Sequence, residues 1–413
     1  MPPERRRRGD VIAITVITVV LLVAGGLIWA NSPVANTVAQ EAQVPVAAPP
    51  TWTGPAPAAF REAWQAPSGA TPVPVVAGPA VVTGDGSAVS GRDASTGAEA
   101  WSYRRNIPLC TVTAAFPNSD KGGGQVLALF DNGTGWCSEL TSLRPDTGAQ
   151  VGARNPDLRP GTRLLSNGSL VAGTGATYLE VFRNDLVQTL EYGDIVTPVE
   201  HDNQEHADCT NGSVVLGNER LAVVQRCPDD PDDQLRSVNP AGKEDETPEE
   251  RYTVDLPSDS ATVLVATPKR AVVAVPGPSR LIVFDDAGIE VATVPLDVPE
   301  ADLPPVPPGR TPTVETDGQR YYWWSGSRTV ALDAVELTPV WTVPGTLGPA
   351  VPYGESLLVP VPDGLAELDP ASGAVLRTIP VIRPAGMNSV RLAVLGDVLL
   401  EQRGPVLAAL VPA

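Results

Sequence analysis

The sequence has 413 residues and a formal net charge of −19, and its 44 Pro and 38 Gly make up about a fifth of it. Proline at this density excludes a coiled coil or helical bundle, and the acidic balance offers no basic face for nucleic acid. Hydrophobic residues make up 42% and fall in short, spaced runs, which excludes a wholly disordered chain and predicts a loop-rich, mostly β protein.

The N-terminus carries a long apolar segment. Residues 11–30 contain no charge, and 20 residues suffice for a helix across the roughly 30 Å hydrocarbon core. A basic tail at residues 1–10, with arginines at positions 5–8, precedes this segment, and no Lys or Arg follows it until Arg61. The positive-inside rule therefore predicts a transmembrane helix with a cytoplasmic N-terminus and an exported remainder. A cleaved signal peptide is the alternative, although its apolar region is usually only about 7 to 15 residues long.

Residues 31–56 form a predicted linker that is rich in Pro and Ala and contains no basic residue. Proline in such a composition favours an extended, semi-rigid chain. We expect this extracytoplasmic linker to hold residues 57–413 away from the membrane and not to join their core.

Four cysteines fall into two close pairs, Cys110 with Cys137 and Cys209 with Cys227. None belongs to a C-x-x-C motif, which excludes a thioredoxin-type redox centre and a c-type haem. In an oxidising compartment, these two local disulfides are favoured among the three possible connectivities. Three Lys against 26 Arg, with abundant Ala, Val and Pro, is typical of a high-GC genome and favours an actinobacterial source.

A pattern of strands and turns recurs through residues 57–413. Its clearest copy is residues 81–103, where Asp85-Gly86 and a turn at 93–97 separate three strands, the last of which contains Trp101. Similar turns at positions 97, 148, 185, 242, 288, 336 and 373 give six steps over 276 residues, a mean of 46. A period in the 40s with four short strands per repeat predicts a β-propeller, whose blades bury their faces against one another.

The repeat predicts an all-β propeller of about eight four-stranded blades, with seven as the alternative, preceded by the transmembrane helix. Residues 390–411 supply three candidate strands for the last blade but no fourth. Residues 60–65 have the pattern of an isolated strand. We expect this early strand to complete the last blade and so to join the two ends of the propeller.

The turn sequences DASTGAEAW, RPDTG and DPASG resemble the repeat of PQQ-like, quinoprotein-type β-propellers. The resemblance covers roughly residues 60–413 and implies the fold, while the family includes both quinone-dependent dehydrogenases and non-catalytic scaffolds. The dehydrogenases bind quinone against adjacent cysteines and a calcium held by acidic and amide side chains. This chain has no adjacent cysteines and no matching calcium constellation. The resemblance therefore implies a non-catalytic, membrane-anchored member without a cofactor, and no catalytic residue is carried over.

Both histidines of the chain lie in one short acidic stretch. The candidate metal ligands are His201, Asp202, Glu205 and His206. Imidazole and carboxylate groups this close together suit a divalent metal, but their spacing matches no helical H-E-x-x-H site. We favour an exposed polar loop that leads into Cys209.

Residues 200–250 concentrate the acidity, with 14 acids and four bases, a net of −10. Within them are two acidic runs: Asp229, Asp230, Asp232 and Asp233, then Glu244, Asp245 and Glu246. The first run lacks the glycine and the distal Glu of an EF-hand loop, so we interpret it as solvated. Together the runs predict an acidic patch on the fourth blade that meets a basic partner.

The sequence offers no P-loop, no nucleophile elbow and no credible Ser/His/Asp triad. The aromatic residues at 321–324 alternate along a strand, which favours packing between blades over a ligand platform. We predict a non-enzymatic interaction or scaffold module of the cell envelope, with envelope proteins as partners. The alternatives are a quinone- or metal-dependent enzyme, and a sensor that binds a small ligand or glycan in the axial funnel.

Overall fold

The computed structural model describes residues 8–30, 35–118, 123–196, 206–228, 230–304 and 308–413. Within these ranges one α-helix, α1, covers Arg8–Ala30. Its stretch Gly9–Leu27 is exposed and is long and apolar enough to cross a membrane, a property that a signal sequence near the N-terminus shares. The boundaries predicted for the membrane segment and the linker stay predictions.

Thirty-three strands in the described ranges form eight antiparallel sheets, which are the eight blades of a propeller. The first two strands are β1 (Val38–Gln40) and β2 (Phe60–Pro67). Blade 1 contains β1 together with β3 (Val75–Ala77), β4 (Ala80–Asp85), β5 (Ala88–Arg92) and β6 (Glu99–Arg104), whereas β2 belongs to blade 8. Blade 2 contains β7 (Leu109–Ala115), β8 (Gln125–Phe130), β9 (Glu139–Leu143) and β10 (Gln150–Arg154). Blade 3 contains β11 (Leu164–Ser166), β12 (Leu170–Gly173), β13 (Tyr178–Arg183) and β14 (Gln188–Gly193).

Blade 4 contains β15 (Thr210–Leu216), β16 (Leu221–Arg226), β17 (Gln234–Val238) and β18 (Glu250–Asp255). Blade 5 contains β19 (Thr262–Ala266), β20 (Arg270–Val275), β21 (Arg280–Asp285) and β22 (Glu290–Pro295), followed by a 3-10 helix at Glu300–Asp302. Blade 6 contains β23 (Val314–Thr316), β24 (Arg320–Trp324), β25 (Arg328–Asp333) and β26 (Pro339–Pro344). Blade 7 contains β27 (Val351–Tyr353), β28 (Ser356–Val361), β29 (Gly364–Leu368) and β30 (Val375–Pro380). Blade 8 contains β31 (Arg391–Leu395), β32 (Val398–Arg403) and β33 (Val406–Pro412).

The propeller closes as the sequence predicts. β2 pairs antiparallel with β33, from Phe60 opposite Pro412 to Pro67 opposite Val406, and becomes the fourth strand of blade 8. The first strands contact one another in ring order from β27 through β31, β3, β7, β11 and β15 to β19, so that β31 of the last blade contacts β3 of the first. These first strands therefore surround the central axis. The prediction of eight blades is confirmed.

The predicted linker does not stay clear of the propeller. Val38 of β1 lies opposite Arg104 of β6, so that blade 1 has five strands. Further on, Ala42 N donates to Thr147 O at 2.9 Å, and the buried Ala56 joins the core between blades 7 and 8. The expectation that this segment does not join the core is wrong. The outer edge of a blade offers unpaired backbone groups, and an extended chain of small residues can pair with them.

Adjacent blades interlock where an outer-strand aromatic ring meets a turn glycine of the next blade. The indole of Trp101 in blade 1 covers Gly148 in blade 2, and its Nε1 donates to Pro145 O at 2.8 Å. Gly148 has a φ of +75°, which L side chains rarely adopt. The same contact joins Trp64 to Gly97, Tyr252 to Gly288 and Trp341 to Gly373. The recurring turn and aromatic residue of the sequence are therefore the two halves of this interlock.

Two blades use a different solution at the same turn. Leu186 in blade 3 and Leu337 in blade 6 replace the glycine, and both keep a positive φ. The outer strands that precede them, β10 and β22, contain no aromatic residue. Leu186 instead reaches back to Gly152 of β10, where an added Cβ would lie 3.3 Å from its Cδ1. At this interface the large residue, Leu186, therefore lies in the turn and the small residue, Gly152, lies in the outer strand, the reverse of the Trp101–Gly148 contact.

The aromatic residues of β24 pack as their alternation predicts. Trp323 is buried in the core shared by blades 5 and 6, with Tyr321 partly buried against it. Tyr322 is buried in the core shared by blades 6 and 7. This strand therefore serves packing on both faces of its blade.

Candidate functional site on blade 4 and at the propeller axis

Both predicted disulfides are present, Cys110–Cys137 in blade 2 and Cys209–Cys227 in blade 4. Cys110 lies in β7, and Cys209 comes just before β15, so that each belongs to the beginning of an innermost strand. Cys137 and Cys227 follow the second strand of the same blades. Antiparallel pairing brings these positions to one end of the blade, where each disulfide joins them.

The two acidic runs of blade 4 lie at opposite ends of the blade. The first belongs to the loop 227–233, which joins β16 to β17, and the second to the loop 239–249, which joins β17 to β18. Because successive strands are antiparallel, consecutive loops alternate between the two ends of the sheet. The single patch predicted from the sequence is therefore corrected to two separate surfaces.

The first run contributes little exposed charge among its described residues. Asp233 is only 7% exposed, and its carboxylate accepts from Arg226 Nη2 at 2.6 Å and from Ala261 N at 2.9 Å. It holds two segments of the fold together and is not a surface residue. Asp230 is half-buried and accepts from Cys227 N, whereas Asp232 is exposed. Asp229 lies outside the described residues.

The second run lies in a loop that is held against the neighbouring blade. Pro240 O accepts from Thr189 Oγ1 at 2.7 Å, and Asp245 O accepts from Glu191 N at 2.7 Å, both in β14 of blade 3. A groove of about 530 Å³ beside these contacts is lined by loop residues 242–247 and by Arg183, Gln188 and Thr189 of blade 3. The side chains of Glu244 and Asp245 remain exposed, and Glu246 is half-buried. The backbone of the acidic loop 239–249 is thus fixed while its carboxylates face solvent.

The acidic loop also acts electrostatically on blade 3. Glu191 accepts from the Tyr178 hydroxyl at 2.6 Å, and the same hydroxyl lies 2.9 Å from Glu180 Oε2. Burial raises the pKa of Glu191, and the charges of Glu246 and Asp245 raise it further. Burial also raises the pKa of Glu180 to about 7. A tyrosine hydroxyl has one proton to donate, so two ionised carboxylates cannot both receive it.

His206 does not lie in an exposed loop. It is 9% exposed, its ring stacks on Tyr192 with centroids 5.0 Å apart, and its Nε2 lies 2.6 Å from Glu250 Oε1. The expectation of an exposed polar loop is therefore wrong for this residue. The other candidate metal ligands, His201, Asp202 and Glu205, lie outside the described residues.

One other grouping has the composition of a metal site. Ligand atoms of His206, Cys209 and Cys227 lie within 4.8 Å of one another. The two sulfur atoms are joined in a disulfide, and a metal binds the thiolate form of cysteine. This group therefore does not form a metal site in the disulfide-bonded protein.

Sequence reasoning missed a set of charged residues at the propeller axis. A cavity of about 520 Å³ there is lined mainly by the innermost strands and the segments that lead into them. Its charged lining residues are Arg163, Arg310, Glu315 and Arg391. They are far apart in the sequence and form no motif. The available signal is their position, because each lies in the first strand of a blade or a few residues before it.

Comparisons with known proteins support the assignment of the fold. No protein-family model matches the sequence, and no curated protein matches it. Among solved structures, BamB from Moraxella catarrhalis aligns with a TM-score of 0.52 and 14% identity over 85% of this chain and 99% of that one. The computationally designed Ika8 protein aligns with a TM-score of 0.52 and 10% identity over 89% of this chain and 99% of that one. The C-terminal WD40 domain of Sif2 gives a TM-score of 0.52 and 10% identity over 87% and 99%. At these identities the likeness shows the β-propeller fold alone.

Proposed function

We propose that this β-propeller is a non-enzymatic protein-interaction module of the cell envelope, anchored by α1 as a single-pass membrane protein. The apolar span Gly9–Leu27 and the arginines at positions 5–8 support an N-terminus in the cytoplasm. The two disulfides support an oxidising compartment for the propeller. The turn sequences support membership of the PQQ-like group, in a member that lacks the adjacent cysteines of the dehydrogenases.

The acidic loop 239–249 carries the interaction proposal. Its backbone bonds to β14, and Asn239 Nδ2 donates to Glu249 Oε2 at 2.9 Å within the loop. Fixing the backbone before binding reduces the conformational entropy that a partner must remove. Exposed carboxylates on such a loop favour a basic partner, whose association they also accelerate. We therefore propose that this loop binds a basic segment of an envelope protein.

In-cell crosslinking with mass spectrometry tests this assignment, because it captures and identifies whichever protein contacts the loop. The test protein carries Glu244→Lys and Asp245→Lys in the full chain, and the matched control carries Glu355→Lys and Asp363→Lys on blade 7. The two control acids are exposed, and their side chains make no hydrogen bond or ion pair within the described ranges. Both proteins undergo the same change in charge.

We expect the blade 4 variant to lose crosslinks to specific partners that the wild type and the control retain. Equal partner sets in all three proteins would refute the role of the loop. Metal analysis and absorbance spectra of the purified full chain, with and without added quinone and calcium, address the enzymatic alternative. A stoichiometric cofactor would replace the interaction proposal.

A further inference from the structure

Three arginines from three different blades meet at one mouth of the axial channel. Arg163 immediately precedes β11 of blade 3, Arg391 is the first residue of β31 of blade 8, and Arg310 precedes β23 of blade 6. All three line the same cavity of about 520 Å³. They lie toward the end of the channel where the innermost strands begin. The propeller ring, and not sequence proximity, brings them together.

The backbone around Arg310 is fixed inside the channel. Arg310 N donates to Gly212 O at 3.3 Å, and Val214 N donates to Arg310 O at 3.1 Å. The segment therefore bonds to β15, the innermost strand of blade 4, with Ser213 and Arg310 in a parallel bridge. Arg391 is held in another way, since its guanidinium carbon lies 4.5 Å from the centroid of the Trp324 ring. The backbone of Arg310 and the guanidinium of Arg391 are thus each held by a contact that involves no acid.

Among the described residues, the positive charge of this cluster is offset only in part, by Glu315. No carboxylate lies within 4.0 Å of Arg163, Arg310 or Arg391 in the part of the chain that the structure describes, although the sequence contains 48 acids. Nη1 of Arg391 is buried and has no hydrogen-bond partner among the described residues. Buried polar groups are normally hydrogen-bonded, and a guanidinium left without a partner is costly. An anion in the adjoining cavity would offset part of this cost by neutralising the charge of the same guanidinium.

The titration behaviour of these side chains agrees with the geometry. Burial lowers the pKa of Arg163, and the like charge of Arg310 lowers it further. Burial lowers the pKa of Arg391 to about 10, while Glu315 opposes that change. Burial raises the pKa of Glu315 to about 7, although Arg391 lowers it in part. Glu315 therefore offsets only some of the positive charge.

We propose that the mouth of the axial channel binds a small anion with at least two negative charges on carboxylate or phosphate groups. Three arginines and one glutamate give the charged lining a formal charge of +2, which a dianion would neutralise. A guanidinium group binds either a carboxylate or a phosphate through two parallel hydrogen bonds. The cavity also falls within the roughly 300–1,000 Å³ typical of small-molecule sites. This site is separate from the acidic loop 239–249 and does not depend on its role.

Binding to the purified full chain in detergent tests the proposal. The probes are succinate and citrate for carboxylates, and inorganic phosphate and pyrophosphate for phosphates, at constant ionic strength. Acetate is the monovalent control. We expect a dianionic probe to raise the melting temperature and to give a saturable calorimetric isotherm, and the class that binds more tightly identifies the ligand chemistry. If no probe binds at millimolar concentration, the proposal is wrong.

Variants separate a specific site from general charge effects. Arg163→Gln and Arg310→Gln should each weaken binding by about 10-fold or more, because a hydrogen bond to a charged group is lost. Arg251→Gln is the matched control, since Arg251 is exposed on β18 and does not line the cavity. Glu315→Gln should tighten dianion binding, a gain that misfolding does not produce. Equal weakening by Arg251→Gln, or weaker binding in Glu315→Gln, would overturn the proposal.

Discussion

Trp101 of blade 1 covers Gly148 of blade 2 so closely that a Cβ added at position 148 would lie 2.7 Å from the indole ring. The indole ring thus packs directly against the backbone of a turn in the next blade, at a residue that has no side chain. Because the contact recurs around the propeller, neighbouring blades depend on one another for the burial of their largest side chains. At these four interfaces, the stability of a blade therefore depends on the identity of a residue in the next one.

Replacing Gly148 with Ala should destabilise the protein by about 2 kcal/mol, through overpacking against Trp101 and a positive φ. Gly86→Ala is the matched control, because Gly86 also has a positive φ but has nothing within 4 Å of an added Cβ. Denaturant unfolding of the two full-length variants measures the difference. Equal destabilisation would mean that the contact with the indole ring is unimportant.

Deleting residues 57–66 should lower the melting temperature strongly, because it removes most of β2 and leaves β33 as an unpaired edge. Deleting residues 38–40 provides the comparison. That deletion removes β1, which is a fifth strand, and leaves blade 1 with its four regular strands. Differential scanning calorimetry should show a much smaller shift for it. An unchanged melting curve after the first deletion would contradict closure through β2.

Stability should fall as the pH rises from about 4.5 to about 7, in part because of Glu180. Burial raises the pKa of this carboxyl to about 7 from 4.5, so that the folded state binds the proton more tightly than the unfolded state. Folding is thus favoured below this window, and the contribution is lost above it. At about 1.4 kcal/mol per pKa unit the effect amounts to about 3 kcal/mol.

The variant Glu180→Gln should reduce this dependence and raise the free energy of unfolding at pH 8 more than at pH 5. Urea titrations at the two pH values measure it. Glu355→Gln serves as the control, because Glu355 is exposed. A wild-type stability that is equal at both pH values, and unaltered by Glu180→Gln, would show that the Glu180 carboxyl does not titrate in this range.

The proposed anchor predicts that the protein stays intact in the membrane. After alkaline carbonate extraction, the full-length chain should remain in the membrane fraction with the mass of its complete sequence. Introducing arginines at positions 18 and 21 should release it, because a charge at the centre of a spanning helix costs about 2.5 to 3.5 kcal/mol. A mature protein whose N-terminus begins after residue 30 would identify a cleaved signal peptide instead.

Local patterns were sufficient to predict the architecture. The turns near Gly97 and Gly373 repeat at a period that fits one blade, and the isolated strand near Trp64 supplies the strand that the last blade lacks. The disulfides followed from the short spacing of Cys110 and Cys137 and of Cys209 and Cys227. Each of these features depends on residues that are close in sequence or on a repeat that is visible along the chain.

The site depended on neighbours that the sequence does not reveal. Asp233 looks like any exposed acid in an acidic run, yet it is buried by the approach of Ala261. Arg163 and Arg391 are 228 positions apart and line the same cavity only because the ring closes. The pairing of Val38 with blade 1 was missed because a Pro- and Ala-rich segment has no strand pattern of its own. Long-range contacts of this kind require the folded ring.

The pairing of β1 with blade 1 limits how far the propeller can travel from its anchor. Seven residues separate the end of α1 at Ala30 from Val38, and fully extended they reach about 25 Å. Blade 4 is three places from blade 1 in a ring of eight, which puts it 135° around the axis from the point of attachment. In the proposed topology, the propeller is tethered to the bilayer at blade 1. The acidic loop 239–249 lies on the opposite half of the propeller's circumference.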